Sequence, residues 1–295
     1  MQNQNIKPPR LRYGDTIGIV SPCDAKNAEK LEPSLKKLEE MGFQIKRGER
    51  LYHNDWGYAD SDVGRAADFN RMIADNEVKM VFFGGGEVAS EVLPLIDYEA
   101  AKANPKIYMS YSDGTSILNA ITAKSGMVTY HGQTPRTFEQ LSDYNLSHFK
   151  AALMDGGDYV PASPWATIRS GDAEGILIGG YTQNIALLVD SQFLPLELDK
   201  DYILFLEDHE WFSIPAAVAR YLACIAQSKL FGSVKALVFG QYRNGEQDEI
   251  VQIIKRFGDK FKIPVFKCDD FGHCENNAIL PIGQSAKNVD GKLIL

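Results

Sequence analysis

Ser112 and Asp113 stand where an apolar run meets a helical pattern, in the segment IYMSYSDGTSILNAI at residues 107–121. An alcohol becomes a good nucleophile when a base accepts its proton, and it must stand clear of the sheet to reach a carbonyl carbon. A sharp strand-to-helix turn gives that exposure and crowds the positions two residues before and after the nucleophile. Ser110 and Gly114 are small enough for those positions. The alternative is that the Ser-Asp pair only caps the helix.

Backbone N–H groups near this serine could hold the oxyanion of an acyl-transfer reaction. The helix predicted to begin at Asp113 would direct its first N–H groups at the site. Gly84, Gly85 and Gly86 directly follow the apolar run VKMVFF, and glycines allow a close approach of the backbone. They could instead form only a tight turn. A phosphate-binding loop is disfavoured, because neither GxxxxGK[ST] nor GxGxxG matches the segment.

A base for the serine would have to come from another part of the chain. His273 lies in the polar segment DDFGHCENN between two apolar runs, and polar connections of this kind often carry catalytic groups. The other histidines are predicted to be structural or solvated: His53, His131, His148 and His209.

An acid that orients the histidine is expected at the end of a strand. Glu207 closes the apolar run in YILFLED, and Asp208 and Glu210 lie beside it. Alternation along a strand does not exclude Asp208. The local sequence therefore leaves the choice of acid open.

A metal site is not predicted. A cluster can be drawn from Cys268, Asp269, Asp270, His273 and Cys274, but its spacing matches no standard zinc pattern. With Cys23 and Cys224 the chain has four cysteines and no CxxC pair, which favours a reducing compartment over a disulfide scaffold. We expect no metal and no other cofactor.

Composition limits the partners of the protein. The 295 residues carry a net charge of −8 and a pI near 5.2, and the basic residues are scattered, so nucleic acid is disfavoured as a ligand. The first residues lack an apolar signal region, and no uncharged apolar run approaches the roughly 18 residues of a membrane span. We therefore expect a cytoplasmic protein without a membrane partner.

Apolar runs alternate with helical patterns along the chain, which predicts an α/β fold with parallel sheets. The order weakens in GGDYVPASPW, a composition typical of linkers. We predict an N-terminal domain over 1–150, a linker over 151–170 and a C-terminal domain over 171–295. The predicted strands are 16–22, 78–83, 106–110, 127–131, 175–180, 202–208, 234–240, 263–268 and 278–283, and the main predicted helices are 27–43, 113–124, 213–228 and 246–258.

Seven segments, in order along nearly the whole chain, resemble the LD-carboxypeptidases of serine peptidase family S66, which also contains the microcin C immunity peptidases. They are RLRYGDTIGIVSPC, SDVGRAADFNRMIADNEVKMVFFGGG, LPLIDYEAAKANPKIYMSYSDGTSILNAI, GMVTYHGQTP, GILIGGYTQNIALL, LFLEDHE and FGHCENNAILPIG. The resemblance implies an N-terminal αβα nucleophile domain, a C-terminal α/β domain of the swivelling β/β/α type, and an active site in the cleft between them.

The resemblance also implies a Ser-His-Glu triad. Ser112 matches the nucleophile, Glu207 the acid and His273 the base, and the oxyanion donors match the N–H groups of Gly85 and Asp113. Many carboxypeptidase members have Arg-Gly-Gly-Tyr-Gly where this chain has FGGGE at 83–87. This departure affects the substrate pocket and leaves the triad in place.

The expected function is a serine LD-carboxypeptidase that removes the terminal D-alanine from murein tetrapeptides in cell-wall recycling. The alternatives are a microcin C immunity-type peptidase that cleaves aminoacyl-nucleotide amides, and a non-catalytic protein that binds a peptide. The expected partners are a murein peptide or another small peptide-like substrate, and a second copy of the chain in a homodimer.

Overall fold

The computed structural model describes residues 5–157, 161–163, 165–209, 214–242, 248–289 and 292–295. Within these ranges, no helix has the length and apolar character needed to cross a membrane. The strands are β1 (Thr16–Val20), β2 (Gln44–Arg47), β3 (Val78–Phe83), β4 (Ile107–Ser110), β5 (Thr129–His131), β6 (Ala166–Arg169), β7 (Ala173–Tyr181), β8 (Tyr202–Glu207), β9 (Val234–Gln241), β10 (Val265–Gly272), β11 (Leu280–Ile282), β12 (Ser285–Val289) and β13 (Lys292–Ile294).

The helices alternate with these strands, as the βαβ pattern requires. The α-helices are α1 (Ala28–Glu40), α2 (Asp62–Ala74), α3 (Ala89–Val92), α4 (Tyr98–Ala103), α5 (Thr115–Ser125), α6 (Asp143–Lys150), α7 (Thr182–Leu188), α8 (Pro215–Ala226) and α9 (Asp248–Phe261). Short 3-10 segments span Leu93–Leu95, Ser112–Gly114, Pro135–Gln140 and Lys229–Ser233, and a π-helical turn spans Ala151–Asp155.

The first sheet has the strand order β11-β5-β4-β3-β1-β2. Strands β1 to β5 are parallel, whereas β11 runs antiparallel to β5. The order reverses between β1 and β3, because the chain moves outward to β2 and then returns to the other side of β1. Open α/β sheets bind ligands beyond the carboxyl ends of the strands at such a reversal.

The second sheet has the order β13-β12-β7-β8-β9-β10-β6. Its four central strands, β7 to β10, are parallel, and the outer strands β6, β12 and β13 are antiparallel to their neighbours. Every residue of β8 is buried, as expected for a parallel strand covered on both faces.

Helix α5 connects the two sheets. Nearly all of its residues are buried, and its apolar side chains belong to the same core as those of β7, β8 and β9. Asn119 donates to the Gly179 carbonyl at 2.9 Å, and the Tyr181 N–H donates to Thr115 Oγ1 at 3.0 Å. Helix α5 therefore fixes the end of β4 relative to the end of β7.

The two-domain α/β fold is confirmed, with the first residues of the chain in one sheet and the later ones mainly in the other. The sequence did not predict four strands, β2, β6, β12 and β13, or the pairing of β11. β2 and β6 are short and partly exposed, and β11 leaves the C-terminal half to pair with β5. Strand β6 lies inside the predicted 151–170 linker and pairs with β10 of the second sheet. The domain boundaries remain a prediction.

Candidate active site

Ser112 occupies a strained turn between β4 and α5. Its φ is +56°, a left-handed conformation that costs a non-glycine residue about 1 kcal/mol or more. A Cβ atom on Gly114 would overlap Ser110 Oγ and lie 3.1 Å from the Phe83 ring. The predicted crowding on either side of the serine is therefore confirmed, and the α-helix begins at Thr115 because Ser112–Gly114 form a 3-10 turn.

Neither member of the Ser-Asp pair caps this helix. In the described part of the chain, Ser112 Oγ lies 2.9 Å from His273 Nε2, and neither the Ser112 nor the Asp113 side chain accepts from an N–H of the 3-10 turn or of α5. The Asp113 carboxylate instead accepts from the Ala89 N–H at 2.7 Å and from Asn184 Nδ2 at 2.8 Å. The capping alternative is wrong, and Asp113 ties the starts of α3 and α7 to the serine turn.

His273 follows β10 and joins Ser112 to Glu207. Its Nε2 lies 2.9 Å from Ser112 Oγ, and its Nδ1 lies 2.7 Å from Glu207 Oε2. Gly272 has a φ of +106°, and a Cβ there would lie 2.8 Å from the Glu207 Cβ. Only glycine lets the strand end so close to the acid. The ring of His273 packs against Tyr111 and Tyr181, with centroid distances of 4.8 and 5.3 Å.

The structure distinguishes the candidate acids. Glu207 is fully buried and contacts His273, whereas Asp208 Oδ1 accepts from the His209 N–H at 2.8 Å. Asp208 Oδ2 is buried without a hydrogen-bond partner among the described residues. Glu210 lies outside the described residues.

The two adjacent carboxyl groups differ in protonation. Burial raises the pKa of Glu207, but the charge and hydrogen bond of His273, together with the nearby His131, outweigh it and lower the pKa to about 2. Burial and the nearby Glu207 charge raise the pKa of Asp208 to about 7. Burial lowers the pKa of His273, yet the charge and hydrogen bond of Glu207 raise it overall above the usual value.

His131 is a site neighbour that the sequence reasoning missed. It was predicted to be structural or solvated, and it is fully buried at the end of β5 with Nε2 3.5 Å from Glu207 Oε1. Neither of its ring nitrogens has a hydrogen-bond partner among the described residues. The sequence did contain a signal for His131: it is a polar residue at the carboxyl end of a buried parallel strand. The carboxyl ends of parallel strands lie along one edge of the sheet, where ligands bind.

The glycine loop passes directly over the serine. A Cβ on Gly85 would lie 2.7 Å from the Ser112 Cβ, and a Cβ on Gly86 would overlap the Cys23 carbonyl. Lys26 Nζ donates to the Gly85 carbonyl at 2.7 Å. The loop is thus held from β1 on one side and by the serine turn on the other.

A cavity of about 380 Å³ opens beside Ser112. The residues that line it lie in β1 and α1 and in the segments that follow β1, β3, β4 and β5, so the cavity includes the crevice where the strand order reverses. They are Ile19, Val20, Lys26, Leu31, Gly84, Gly85, Tyr111, Ser112, Thr134, Pro135, Arg136 and Thr137. Lys26 and Arg136 were not singled out from the sequence, because no local pattern marks them.

The possible metal ligands around His273 do not converge in the described part of the chain. The Asp270 carboxylate accepts from the Ser163 N–H and hydroxyl at 3.0 and 2.6 Å, and Cys274 Sγ donates to the Asn276 carbonyl. The ligand atoms of His53, Asp55 and Asp60 lie within 4.8 Å of one another away from this site, but Asp60 is already paired with Arg50 at 2.6 Å.

Comparison with known proteins identifies the family of both halves of the chain. Residues 17–132 match the LD-carboxypeptidase N-terminal domain and residues 174–287 match the LD-carboxypeptidase C-terminal domain. The fold and the serine-centred site are therefore of the serine hydrolase class, and the chain belongs to the LD-carboxypeptidase family of serine peptidases, S66.

Three relatives illustrate the range of the family. A probable murein peptide carboxypeptidase of Bacillus subtilis is 30% identical, covering 96% of this chain and 91% of the relative. The microcin C7 self-immunity protein MccF of Escherichia coli is 26% identical, covering 96% and 93%. The crystal structure of an MccF-like protein from Bacillus anthracis has a TM-score of 0.88 at 27% identity and covers 98% of both chains.

Proposed function

We propose that this protein is a serine LD-carboxypeptidase that removes the terminal D-alanine from murein tetrapeptides during cell-wall recycling. The observation that carries the proposal is the hydrogen-bonded chain from Ser112 through His273 to Glu207. The name of the Bacillus subtilis relative, with 30% identity over almost the whole chain, supports the choice of substrate.

In this mechanism Ser112 attacks the carbonyl carbon of the last peptide bond. His273 Nε2 accepts the hydroxyl proton as the Oγ–C bond forms, and then delivers that proton to the leaving amine of D-alanine. Water, activated by the same nitrogen, hydrolyses the acyl-enzyme. Glu207 accepts a hydrogen bond from the Nδ1–H of His273 and stabilises the imidazolium. Its low pKa keeps the carboxylate charged during the whole reaction.

The oxyanion is held by the N–H groups of Gly85 and Asp113. The close approach of Gly85 to Ser112 supports this role, and the Gly85 N–H has no protein acceptor among the described residues. Asp113 follows the nucleophile in a helical turn, where N–H groups point toward the preceding strand end. Donors of this kind contribute about 10²- to 10³-fold to the rate.

The second candidate function is hydrolysis of an aminoacyl-nucleotide amide. The 26% identity to MccF and the match to the MccF-like structure favour it. The FGGGE loop, which departs from the carboxypeptidase pattern beside Ser112, also keeps this substrate in consideration. Both candidates would use the same triad, and they differ in the acyl group that Ser112 would carry and in the group that leaves.

One experiment separates these functions. The protein is incubated with a murein tetrapeptide and with an aminoacyl sulfamoyl adenosine, and mass spectrometry identifies which one is cleaved. The Ser112→Ala variant serves as the control for contaminating peptidases. Release of D-alanine from the tetrapeptide alone is expected; cleavage of the adenosine compound alone would favour the second function. Failure of a fluorophosphonate to label Ser112 would instead favour a non-catalytic peptide-binding protein.

The cytoplasmic location, the homodimer and the domain limits at 1–150 and 171–295 also belong to this proposal. Murein recycling acts on peptides that have been returned to the cell interior, which supports the location. Analytical ultracentrifugation tests the dimer, because a sedimentation mass near that of one chain would exclude it.

A further inference from the structure

Two cationic side chains line the cavity beside Ser112. Lys26 follows β1 and Arg136 lies in the 3-10 segment after β5. They approach the cavity from strands on either side of β3 and β4, so their convergence depends on the fold. Neither side chain has a place in the proposed triad or among the oxyanion donors.

Lys26 is a partly buried cation without an acidic partner. Its only hydrogen bond among the described residues is to the Gly85 carbonyl, and no described carboxylate lies within 4.0 Å of its ammonium group. Burial lowers the pKa of Lys26, because the ammonium has lost part of its hydration. An incoming carboxylate would restore that lost stabilisation with a charge-assisted hydrogen bond.

Arg136 adds a second positive charge at the mouth of the cavity. Its side chain is 64% exposed, and its nearest acidic neighbour, Glu139, lies 3.9 Å away. This loose pair leaves most of the guanidinium donors available. A planar guanidinium can bind a carboxylate with two parallel hydrogen bonds.

The position of Lys26 matches the geometry of a chain end. In a substrate that loses its last residue, the terminal carboxylate and the nitrogen of the bond that breaks are attached to the same Cα atom, so the two groups lie within a few bonds of each other. Lys26 contacts the same glycine that lies against Ser112. A carboxylate bound to Lys26 would therefore present the preceding carbonyl group to the serine.

We infer that Lys26 and Arg136 form the subsite that binds the C-terminal carboxylate of the substrate, and that they restrict the enzyme to the last peptide bond. This inference rests on the proposed carboxypeptidase function. The inference places the leaving residue in the cavity that Lys26 and Arg136 line, and the rest of the peptide on the opposite side of Ser112.

The test compares two substrates that differ only in charge: a murein tetrapeptide ending in D-alanine and the same peptide ending in D-alaninamide. The unmodified enzyme should prefer the acid in kcat/KM by about 10- to 100-fold, the usual effect of a hydrogen bond to a charged group. Lys26→Gln keeps a donor for Gly85 but removes the charge, so it should abolish most of this preference by lowering turnover of the acid alone. Arg136→Gln should reduce the preference by a smaller factor.

Lys36→Gln is the matched control, because Lys36 is an exposed cation on α1 outside the cavity. It should leave both rates unchanged. An equal loss on both substrates in Lys26→Gln would show that Lys26 only positions Gly85 and would overturn the inference. Equal rates on the acid and the amide in the unmodified enzyme would also overturn it. If Lys26→Gln does not fold, the ratio of kcat/KM for the acid to kcat/KM for the amide is measured in Arg136→Gln instead. A ratio equal to that of the unmodified enzyme would overturn the inference.

Failure of the proposed function gives a different result. If the unmodified enzyme cleaves neither peptide, calorimetric titration of Ser112→Ala with the same two peptides decides the inference. The carboxylate subsite is supported if Ser112→Ala binds the acid more tightly than the amide and if adding Lys26→Gln removes that difference. Equal binding of the two peptides, or binding of neither, rejects it.

Discussion

The two sides of the cleft hold the candidate catalytic groups in different ways. On the first sheet, Ser112 is fixed by its own turn, with a positive φ and a glycine two residues later. On the second sheet, Glu207 and His273 are fixed by each other across 66 residues of sequence, and by His131 from the first sheet. In the proposed mechanism, local backbone geometry would position the nucleophile, and tertiary packing would position the acid and the base.

The charges on the two sides differ as well. The cavity beside the serine carries Lys26 and Arg136, whereas the other side contains the buried carboxyl groups of Glu207 and Asp208. In the proposed mechanism, this arrangement would separate binding of the substrate carboxylate from proton transfer. Substitutions on each side should therefore give different kinds of loss.

The largest loss is expected from Ser112→Ala. Removing the nucleophile should lower kcat by about 10⁴- to 10⁶-fold, while the thermal unfolding midpoint should stay the same or rise, because alanine removes no core contact. Hydrolysis of the cleaved substrate and circular dichroism measure the two effects. Activity above about 1% of the unmodified enzyme would remove Ser112 from the nucleophile role.

Glu207→Gln should give the next largest loss. Glutamine keeps the shape of the acid but removes the charge that stabilises the imidazolium, so kcat should fall by about 10²- to 10⁴-fold. Purified variant and parent are compared at the same pH with the same substrate. A loss smaller than that of Asp208→Asn would mean that the wrong carboxylate has been placed in the triad.

The pH dependence of kcat/KM tests the coupling between Glu207 and His273. His273 accepts a proton only when neutral, so the rate should fall about tenfold per pH unit below its pKa. That pKa is raised above its usual value of about 6.5. Glu207→Gln should move the acid limb to lower pH, because the main group that raises the pKa has lost its charge. If the acid limb of the pH profile does not move in Glu207→Gln, the limb reports the titration of a residue other than His273.

Gly114→Ala tests the nucleophile side. The added Cβ would overlap Ser110 Oγ, and such overpacking costs about 1–3 kcal/mol of stability. Denaturant unfolding measures this cost. The activity of the enzyme should also fall, because the added Cβ displaces the turn that carries Ser112. Ser110→Gly in the same chain removes the overlapped atom and should restore much of the stability. No recovery in the double variant would show that the crowding is not the cause.

Asp208→Asn should have the smallest effect, with a loss of less than about tenfold. Asp208 does not contact His273 through a hydrogen bond, and its pKa of about 7 means that it is partly neutral near neutral pH. Assays beside Glu207→Gln on the same substrate measure the difference. Circular dichroism of both variants confirms that each is folded.

The sequence alone determined the local features of this protein. Apolar runs such as VKMVFF and YILFLE predict buried strands because parallel strands are covered on both faces, and β3 and β8 match them closely. The Ser112 turn was predictable because its crowding involves residues only two positions away. The local sequence made His273 and Glu207 candidates, the S66 resemblance selected Glu207 over Asp208, and the structure brings the two residues into contact with each other.

Only the tertiary structure decided the features that depend on distant parts of the chain. Alternation could not choose between Glu207 and Asp208, because the choice depends on where a histidine 66 residues later arrives. The contact of His131 with Glu207 requires strands of two different sheets to end at one place. The cavity with Lys26 and Arg136 exists because the order of the first sheet reverses beside β1. Spatial neighbours of this kind follow from how the sheets pack, and no short segment contains that information.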